Sequence, residues 1–458
     1  MKIRGIGSGM VMQRDPKTNE AQVICCITEA ADPKASAGCL NRIEGEMYRF
    51  TGLPVGGPYA LSIQDGEQVL EFTDIYVGDL WILGGQSNME GAGLRRSEEY
   101  AYDKAPDLRI RSYSLGDTWA PATSLLHQQW LNTDLGVREK YYRDNQDHLE
   151  RLGSFTLENH SGVGPGHFIG QRLLELTGVP QGLIPCAYGG ASLWDFSPDN
   201  QSGASLYYSM LRRVADCGGR VRGMFWYQGE SQAGKDWVEN FCPDMERFVS
   251  QLRLDLENPT LPIVQVQIGH NTLPWNSTDE ADLIWHRVRV LQLEAQDRIE
   301  NLTTVSAANS YLQDLIHIDA RSHSQIGKAM AEEMVRMLTG QGAAQPQIDH
   351  VTTMPHSEKP KHSTLICITY KNVVGKLISE GRPYGFSVTV GEELPFGYPY
   401  KNIAHIELEG DRVIITVEDN YVDVQKACLW YGAGRNCVCN ITDEGGRALP
   451  AFGPMKIK

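Results

Sequence analysis

Nowhere does this 458-residue chain hold an apolar run approaching the roughly 18 residues that a membrane-spanning helix needs, so no helical span is expected. Its first residues, Met1-Lys2-Ile3-Arg4-Gly5-Ile6-Gly7, lack the apolar stretch of a secretory signal. That points to a cytoplasmic protein; the alternative is a secreted or periplasmic one whose signal has been removed. Basic residues are the minority, 42 against 57 acidic, for a formal charge of −15. Nucleic acid and anionic membranes both reward basic surfaces, so neither is expected as a partner. The ten cysteines are dispersed. Cys25-Cys26, Cys186 and Cys367 sit in apolar, strand-like runs where a buried free thiol is ordinary. Cys437-Val-Cys439 lacks the second pair or the histidines that a zinc site needs, so it reads as structural. A disulfide framework is not expected in a chain large enough to bury its own core. No internal repeat or low-complexity tract occurs.

What is present is an ordinary globular composition, 41% hydrophobic and 22% charged, long enough for two or three domains. Three regions separate by pattern. Residues 1–77 hold short β-type runs (Ala21–Thr28, Met47–Thr51, Tyr59–Ile63, Gln68–Phe72) punctuated by Gly and Pro, and are expected to form a β-sandwich-like module. Residues 78–342 alternate near-continuous apolar strands with helical periodicity. The strands are Leu80–Leu83, Leu108–Tyr113, Gly182–Cys186, Gly223–Tyr227, Ile263–Gln267 and Leu302–Val305. Helices are expected around Ile169–Leu176, Phe241–Leu252 and Ile326–Met337. That alternation predicts an α/β domain with a doubly wound, mostly parallel sheet and helices on both faces. A polar stretch over 115–160 interrupts it and is expected to border the site or to be a loop. After Gly340–Pro346, a linker, the runs Leu365–Tyr370, Phe386–Val390, Ile403–Leu408 and Val413–Val417 predict an all-β C-terminal module over 350–458.

Three strand ends in the central region, and one segment before the helix that begins near Ser322, carry chemistry-bearing residues. Gly84-Gly-Gln-Ser-Asn-Met-Glu-Gly91 follows Leu83. Flanking glycines allow the tight turn that presents Ser87 at the carboxyl end of a parallel strand, where ligands bind in such sheets. Ala187-Tyr-Gly-Gly-Ala-Ser-Leu-Trp194 offers Gly190 as a backbone donor to a developing negative charge, and Trp194 as a platform for a sugar ring. Trp226-Tyr-Gln-Gly-Glu-Ser-Gln232 brings the Gln228 amide and the Glu230 carboxylate to the same sheet edge. Asp314-Leu-Ile-His317 has the spacing for a carboxylate to hold the imidazole Nδ1–H, leaving the other ring nitrogen to take a proton from serine. Taken singly, each is compatible with a plain turn; their conjunction in this order on one doubly wound domain points to nucleophilic catalysis. Two other classes stay open at this level: a glycoside hydrolase using Glu230 and Asp314 as paired carboxylates, and a non-catalytic carbohydrate-binding protein.

Gly85-Gln-Ser-Asn-Met89, Gly189-Gly190, Trp226-Tyr-Gln-Gly-Glu230 and Asp314-Leu-Ile-His317 together resemble the four motif blocks of the SGNH hydrolases, in the branch of the sialate O-acetylesterases and acetylxylan esterases. The likeness extends outward. Gly9-Met-Val-Met-Gln-Arg14, Val77-Gly-Asp-Leu-Trp81, Leu429-Trp-Tyr-Gly-Ala433, Cys439-Asn-Ile-Thr442 and Ala448-Leu-Pro-Ala-Phe452 resemble flanking segments of sialate O-acetylesterases. The resemblance implies a flavodoxin-like three-layer α/β/α catalytic domain flanked by all-β modules, and a carbohydrate O-acetylesterase. It implies Ser87 as nucleophile, His317 as general base and Asp314 as its orienting carboxylate, with Glu230 as the competitor for that last role. The Ser87 and Gly190 N–H groups and the Gln228 amide would make the oxyanion hole; Trp194, Asn88 and Arg95 are candidate substrate contacts. No metal or cofactor is implied. The expected substrate is an acetylated carbohydrate, a hemicellulose-derived oligosaccharide or a sialic acid. A homo-oligomer is compatible with all of this. One departure is Gln232, where the family usually has Asn.

Overall fold

The computed structural model describes residues 1–92, 106–146, 162–274, 278–358, 362–391, 402–419 and 423–457. They form a mixed α/β architecture with a mostly parallel central sheet and additional β-sheets. The chain divides into two compact units, one of residues 1–228 and 246–263, the other of 229–245 and 264–458.

The first unit opens with a four-stranded antiparallel sheet in the order Lys2–Arg4, Glu20–Thr28, Met47–Pro54, Cys39–Glu44. Its alternating burial supplies Val23, Cys25, Ile27, Tyr48 and Phe50 to a local core. Then comes β1 (Gln68–Gly85), an 18-residue strand that runs unbroken across the expected boundary at 77/78. Its first part pairs antiparallel with Gly56–Asp65 and parallel with Val11–Gln13; its last part enters the parallel sheet. Four-residue helix α1 (Ser87–Glu90) follows directly. Strand β2 (Ile110–Tyr113), helix α2 (Leu135–Asp144), helix α3 (Gly166–Thr177), strand β3 (Gln181–Pro185), helix α4 (Leu206–Asp216) and strand β4 (Gly223–Tyr227) complete the unit, with most of helix α5 (Phe241–Asp255).

Within this unit the strand order is β2-β3-β1-β4, all parallel, with Trp119–Pro121 antiparallel on the outside of β2. Every residue of β2, β3 and β4 is buried, as strands covered on both faces should be. The chain leaves β1 towards β2 on one side, and leaves β3 towards β4 on the other. The carboxyl end of β1 is therefore a topological switch point, where open parallel sheets present their ligand crevice. The block Gly9–Arg14 has a mechanical role here. The Arg14 guanidinium grips buried Asp79 twice, at 2.9 and 2.8 Å, and Gln13 Oε1 accepts from the Leu80 N–H at 2.7 Å. Both contacts fix the strand that leads to Ser87.

The second unit contributes β5 (Ile263–Gln267), helix α6 (Asp279–Arg298), β6 (Leu302–Ser306) and helix α7 (Ala320–Thr339). Helix α7 is capped by the Asp319 carboxylate on the Ser322 N–H at 2.8 Å and ends at left-handed Gly340. The strands Gln347–Pro355, Ser363–Lys371, Arg412–Glu418 and Ile403–Glu409 then form an antiparallel sheet. A three-stranded sheet joins Phe386–Val390, Ala427–Tyr431 and Phe452–Lys456. The closing blocks of sequence dock onto the helical part of the same unit. The Gln267 amide bonds Ala451 in both directions, donating to its carbonyl at 2.9 Å and accepting from its N–H at 2.8 Å. Buried Arg289 on α6 donates to the carbonyls of Ile268, Gly432 and Gly434 at 3.0, 2.9 and 2.8 Å. Among the described residues no helix is long and apolar enough to cross a membrane, and the ten cysteines are free thiols.

Candidate active site

In the first unit, the sequence after β1 makes a sharp turn that only glycine permits. Gly85 has φ +131°, and a Cβ there would lie 2.1 Å from the Tyr227 carbonyl. The chain is pinned through the turn by the Gln86 N–H on that same carbonyl at 2.8 Å, and by the Tyr188 N–H on the Gly85 carbonyl at 3.1 Å. Ser87 thus opens α1, partly exposed at the carboxyl end of β1.

The neighbours of β1 on either side bring the other two expected oxyanion donors to the same edge. β3 pairs in register from Gln181↔Asp79 to Pro185↔Leu83 and leads into Gly189-Gly190. β4 pairs from Gly223↔Trp81 to Tyr227↔Gly85 and leads into Gln228. Gly190 has φ +72° with open space around its Cα, and Gln228 is fully buried. The Gln228 amide donates to the Ala191 carbonyl at 3.3 Å, which ties the β4 end to the Gly190 turn.

Three supports of this edge were not legible as site residues. Glu90, at the end of α1, accepts from the Gln129 amide and the Gly189 N–H; loss of solvent pushes its carboxyl up to about 7 against those two donors. A Cβ at Gly189 would sit 2.8 Å from Glu90 Oε2. Gln129 also donates to the Ala187 carbonyl at 2.8 Å. Tyr188 donates its hydroxyl to Asp144 of α2 at 2.8 Å, so the described part of the polar 115–160 stretch borders the Gly190 turn. Buried Arg213 donates to the carbonyls of Pro185, Tyr113 and Ser114, joining the ends of β2 and β3. A polar residue at one end of a periodic apolar segment is the only signal the sequence carries for any of them.

In the second unit, Asp314 and His317 lie on the loop before α7. The His317 Nδ1 is 2.7 Å from Asp314 Oδ2, while Oδ1 accepts from the N–H groups of Ile316 at 2.8 Å and His317 at 2.7 Å. Burial would raise the Asp314 carboxyl, but the His317 side chain and those two N–H groups outweigh it and hold it below the usual carboxylate range. An ionised carboxylate only accepts, so Nδ1 carries the hydrogen, and the neutral form of the ring has its lone pair at Nε2. Asp314 rather than Glu230 is therefore the Nδ1 partner. Glu230 is buried in the 3-10 turn Glu230–Gln232. The loop is closed by a bridge between Leu312 and Ile318, and by the Gln313 N–H on the His317 carbonyl at 2.7 Å. Outside it, the Thr272 N–H and hydroxyl both donate to the Leu315 carbonyl, at 2.8 and 3.1 Å.

Of the candidate substrate contacts, Trp194 is 55% exposed, Asn88 is buried at 1% exposure beside Ser87, and Arg95 with its neighbour Arg96 lies outside the described residues.

Comparison with known proteins bears on the family and the fold. The family described as carbohydrate esterase, sialic acid-specific acetylesterase, matches residues 77–336, more than half of the chain. A probable carbohydrate esterase of Arabidopsis thaliana is 29% identical over 284 residues, covering 59% of this chain and 96% of its own length. A sialate O-acetylesterase of Pongo abelii is 24% identical over 227 residues, covering 41% of each chain. Among solved structures, a carbohydrate acetylesterase from Xanthomonas citri superposes over 98% of both chains with a TM-score of 0.70 at 19% identity, and so shares the fold. Residues 77–336 contain all four motif blocks, from the Ser87 turn to the Asp314–His317 loop. The chain belongs to the sialic acid-specific acetylesterase family of carbohydrate esterases.

Proposed function

We propose that this protein releases acetate from O-acetylated sugars through a serine acyl-enzyme, with Ser87 as nucleophile, His317 as general base and Asp314 as the carboxylate that orients it. We also take the helices to cover the parallel sheet on both faces, in the three-layer arrangement. The observation that carries the reading is the Asp314–His317 pair at 2.7 Å, in which the histidine tautomer is set for proton abstraction at Nε2. The turn at Gly85 and the flanking positions of Gly190 and Gln228 support it from the serine side.

In this mechanism the Ser87 hydroxyl attacks the acetyl carbonyl as His317 takes its proton. The charge that develops on the carbonyl oxygen is received by the Ser87 and Gly190 N–H groups and the Gln228 amide, each worth about 3 kcal/mol in the transition state. Collapse expels the sugar hydroxyl, which recovers the proton from His317. Water, deprotonated in turn by His317, then hydrolyses the acetyl-serine to acetate. Both Asp314 oxygens are engaged within their own loop, which speaks against its use as one of two glycosidase carboxylates. The family description favours an O-acetylated sialic acid, and the net charge of −15 is equally compatible with neutral acetylated xylan or mannan oligosaccharides.

The test is acetate release from 9-O-acetyl sialic acid and from acetylated xylan and mannan oligosaccharides, by the natural chain and by Ser87→Ala. We expect one substrate class to dominate and the variant to lose at least about 10³-fold in kcat. A Ser87→Ala protein that keeps its turnover, or release of a shortened sugar instead of acetate, sinks the proposal.

A further inference from the structure

Beyond the residues assigned above, the second unit contains a cavity of about 480 Å³ with an unusual wall. Two thiols, Cys437 and Cys439, line it together with His270, Arg321, Glu380 and Asn440. Their sulfurs are 3.8 Å apart. Cys437 is partly exposed and Cys439 is buried. The Arg289 guanidinium, fixed in place by carbonyls of Ile268, Gly432 and Gly434, also donates to the Cys437 sulfur at 3.6 Å.

This arrangement separates the roles of the two sulfurs. The hydrogen bond from Cys439 favours the thiolate at Cys437; burial opposes it, and Arg289 and His270 reinforce it, holding Cys437 well below the usual thiol range. Sharing that hydrogen, and burial after it, pushes Cys439 well above the range. The pair therefore consists of a sulfur on a partly exposed residue beside one on a buried residue, in van der Waals contact, with a cationic group against the first. An inert structural pair needs neither the cation nor the opening onto a cavity.

We propose that Cys437 and Cys439 form a dithiol site that exchanges with small-molecule disulfides entering this cavity, Cys437 attacking and Cys439 resolving. The Cys437 thiolate attacks one sulfur of the disulfide, forming a mixed disulfide and expelling the first small thiolate, which takes a proton from water. Cys439 then gives up its proton to water and attacks the Cys437 sulfur, expelling the second thiolate. The protein dithiol loses two electrons, and the small disulfide is reduced to two thiols. Closing the bridge requires the sulfurs to move from 3.8 Å to about 2.05 Å, within reach of side-chain rotation in a Cys-x-Cys segment. The site is independent of the esterase reading, because its readout is sulfur chemistry alone.

The test incubates the reduced full chain with glutathione disulfide, quenches with an alkylating agent, and maps peptides by mass spectrometry. The expected product is a 437–439 peptide lighter by two hydrogens, formed at least about tenfold faster than any change at exposed Cys39. The Cys439→Ser variant should stop at a glutathione adduct on Cys437, and Cys437→Ser should leave Cys439 reduced. A natural chain in which Cys39 reacts while the 437–439 peptide keeps both free thiols overturns the proposal without recourse to any variant. So does a Cys439→Ser chain that carries no adduct on Cys437.

Discussion

Ser87 stands at the end of an 18-residue strand whose register is fixed on both sides, whereas His317 stands in a loop held by the Asp314 carboxylate, one bridge and Thr272. The serine region is built from buried main chain. Tyr227 and Tyr188 pin the turn, Gln228 is fully buried, and Arg14 and Arg213 anchor the strands from behind. The histidine region is small and open: the Asp314 side chain is 50% exposed and that of His317 26%. Oxyanion donors must lie in place before charge develops, because their worth comes from not having to reorganise. A base that moves a proton twice per turnover has to keep its tautomer, which one carboxylate can secure. The two regions thus differ in how tightly chemistry and folding stability are joined, and substitutions should separate them.

The largest expected effect is on chemistry alone. Asp314→Ala should lower kcat by about 10⁴-fold, since the imidazole loses its tautomer, while the thermal midpoint moves little because the carboxylate is half exposed. Equal loss of midpoint and activity would break the contrast. Arg14→Ala should do the opposite, costing about 3 kcal/mol of stability by leaving Asp79 buried without its cation, with kcat of the folded fraction near normal; denaturant unfolding measures it. Gln228→Ala should move both, lowering kcat by about 10²-fold and destabilising the Gly190 turn through the lost bond to Ala191.

The last effect, read only as a pH dependence, belongs to Glu90. Its carboxyl ionises near 7 in the fold against an ordinary value of 4.5. Between those values the unfolded chain has released the proton and the native state has kept it, so stability should decline as pH rises across that window and level off above it. Comparing the midpoints of natural chain and Glu90→Gln at several pH values tests this. A difference that stays constant from pH 4.5 to 7 would mean that the group is already charged in the fold.

The strands were legible because their burial is nearly total: Gly223–Tyr227, Ile263–Gln267 and Gly182–Cys186 stand out as apolar runs and occupy the sheet as expected. Helices α2, α4 and α6 were not. The buried face of α6 interleaves Trp285, Val288, Leu291 and Ala295 with His286, Arg289 and Gln292, which satisfy backbone carbonyls and N–H groups from other segments, so polar residues interrupt its apolar pattern. On α4 the buried face places Arg213 among Leu206, Met210 and Val214. The placement of candidate residues at strand ends could be read from spacing, and the Asp314–His317 contact could be anticipated from Asp-x-x-His. The pattern change read at 77 falls inside one continuous strand, Gln68–Gly85. Glu90 and Gln129 escaped notice since they bond each other and the main chain of Gly189 and Ala187, contacts that leave no trace in side-chain pattern.

That continuous strand also bears on how the protein comes off the ribosome. The first part of β1 finds its partners Gly56–Asp65 and Val11–Gln13 almost at once, from chain already made. The part bearing Leu80, Trp81, Ile82 and Leu83 does not. Trp81 bonds Gln181, 100 positions later, and β4 arrives later still. At 5–20 residues per second, the apolar stretch just ahead of Ser87 waits on the order of 5–20 s with both edges open. During that interval it is the segment of the first unit most prone to pair with another nascent chain.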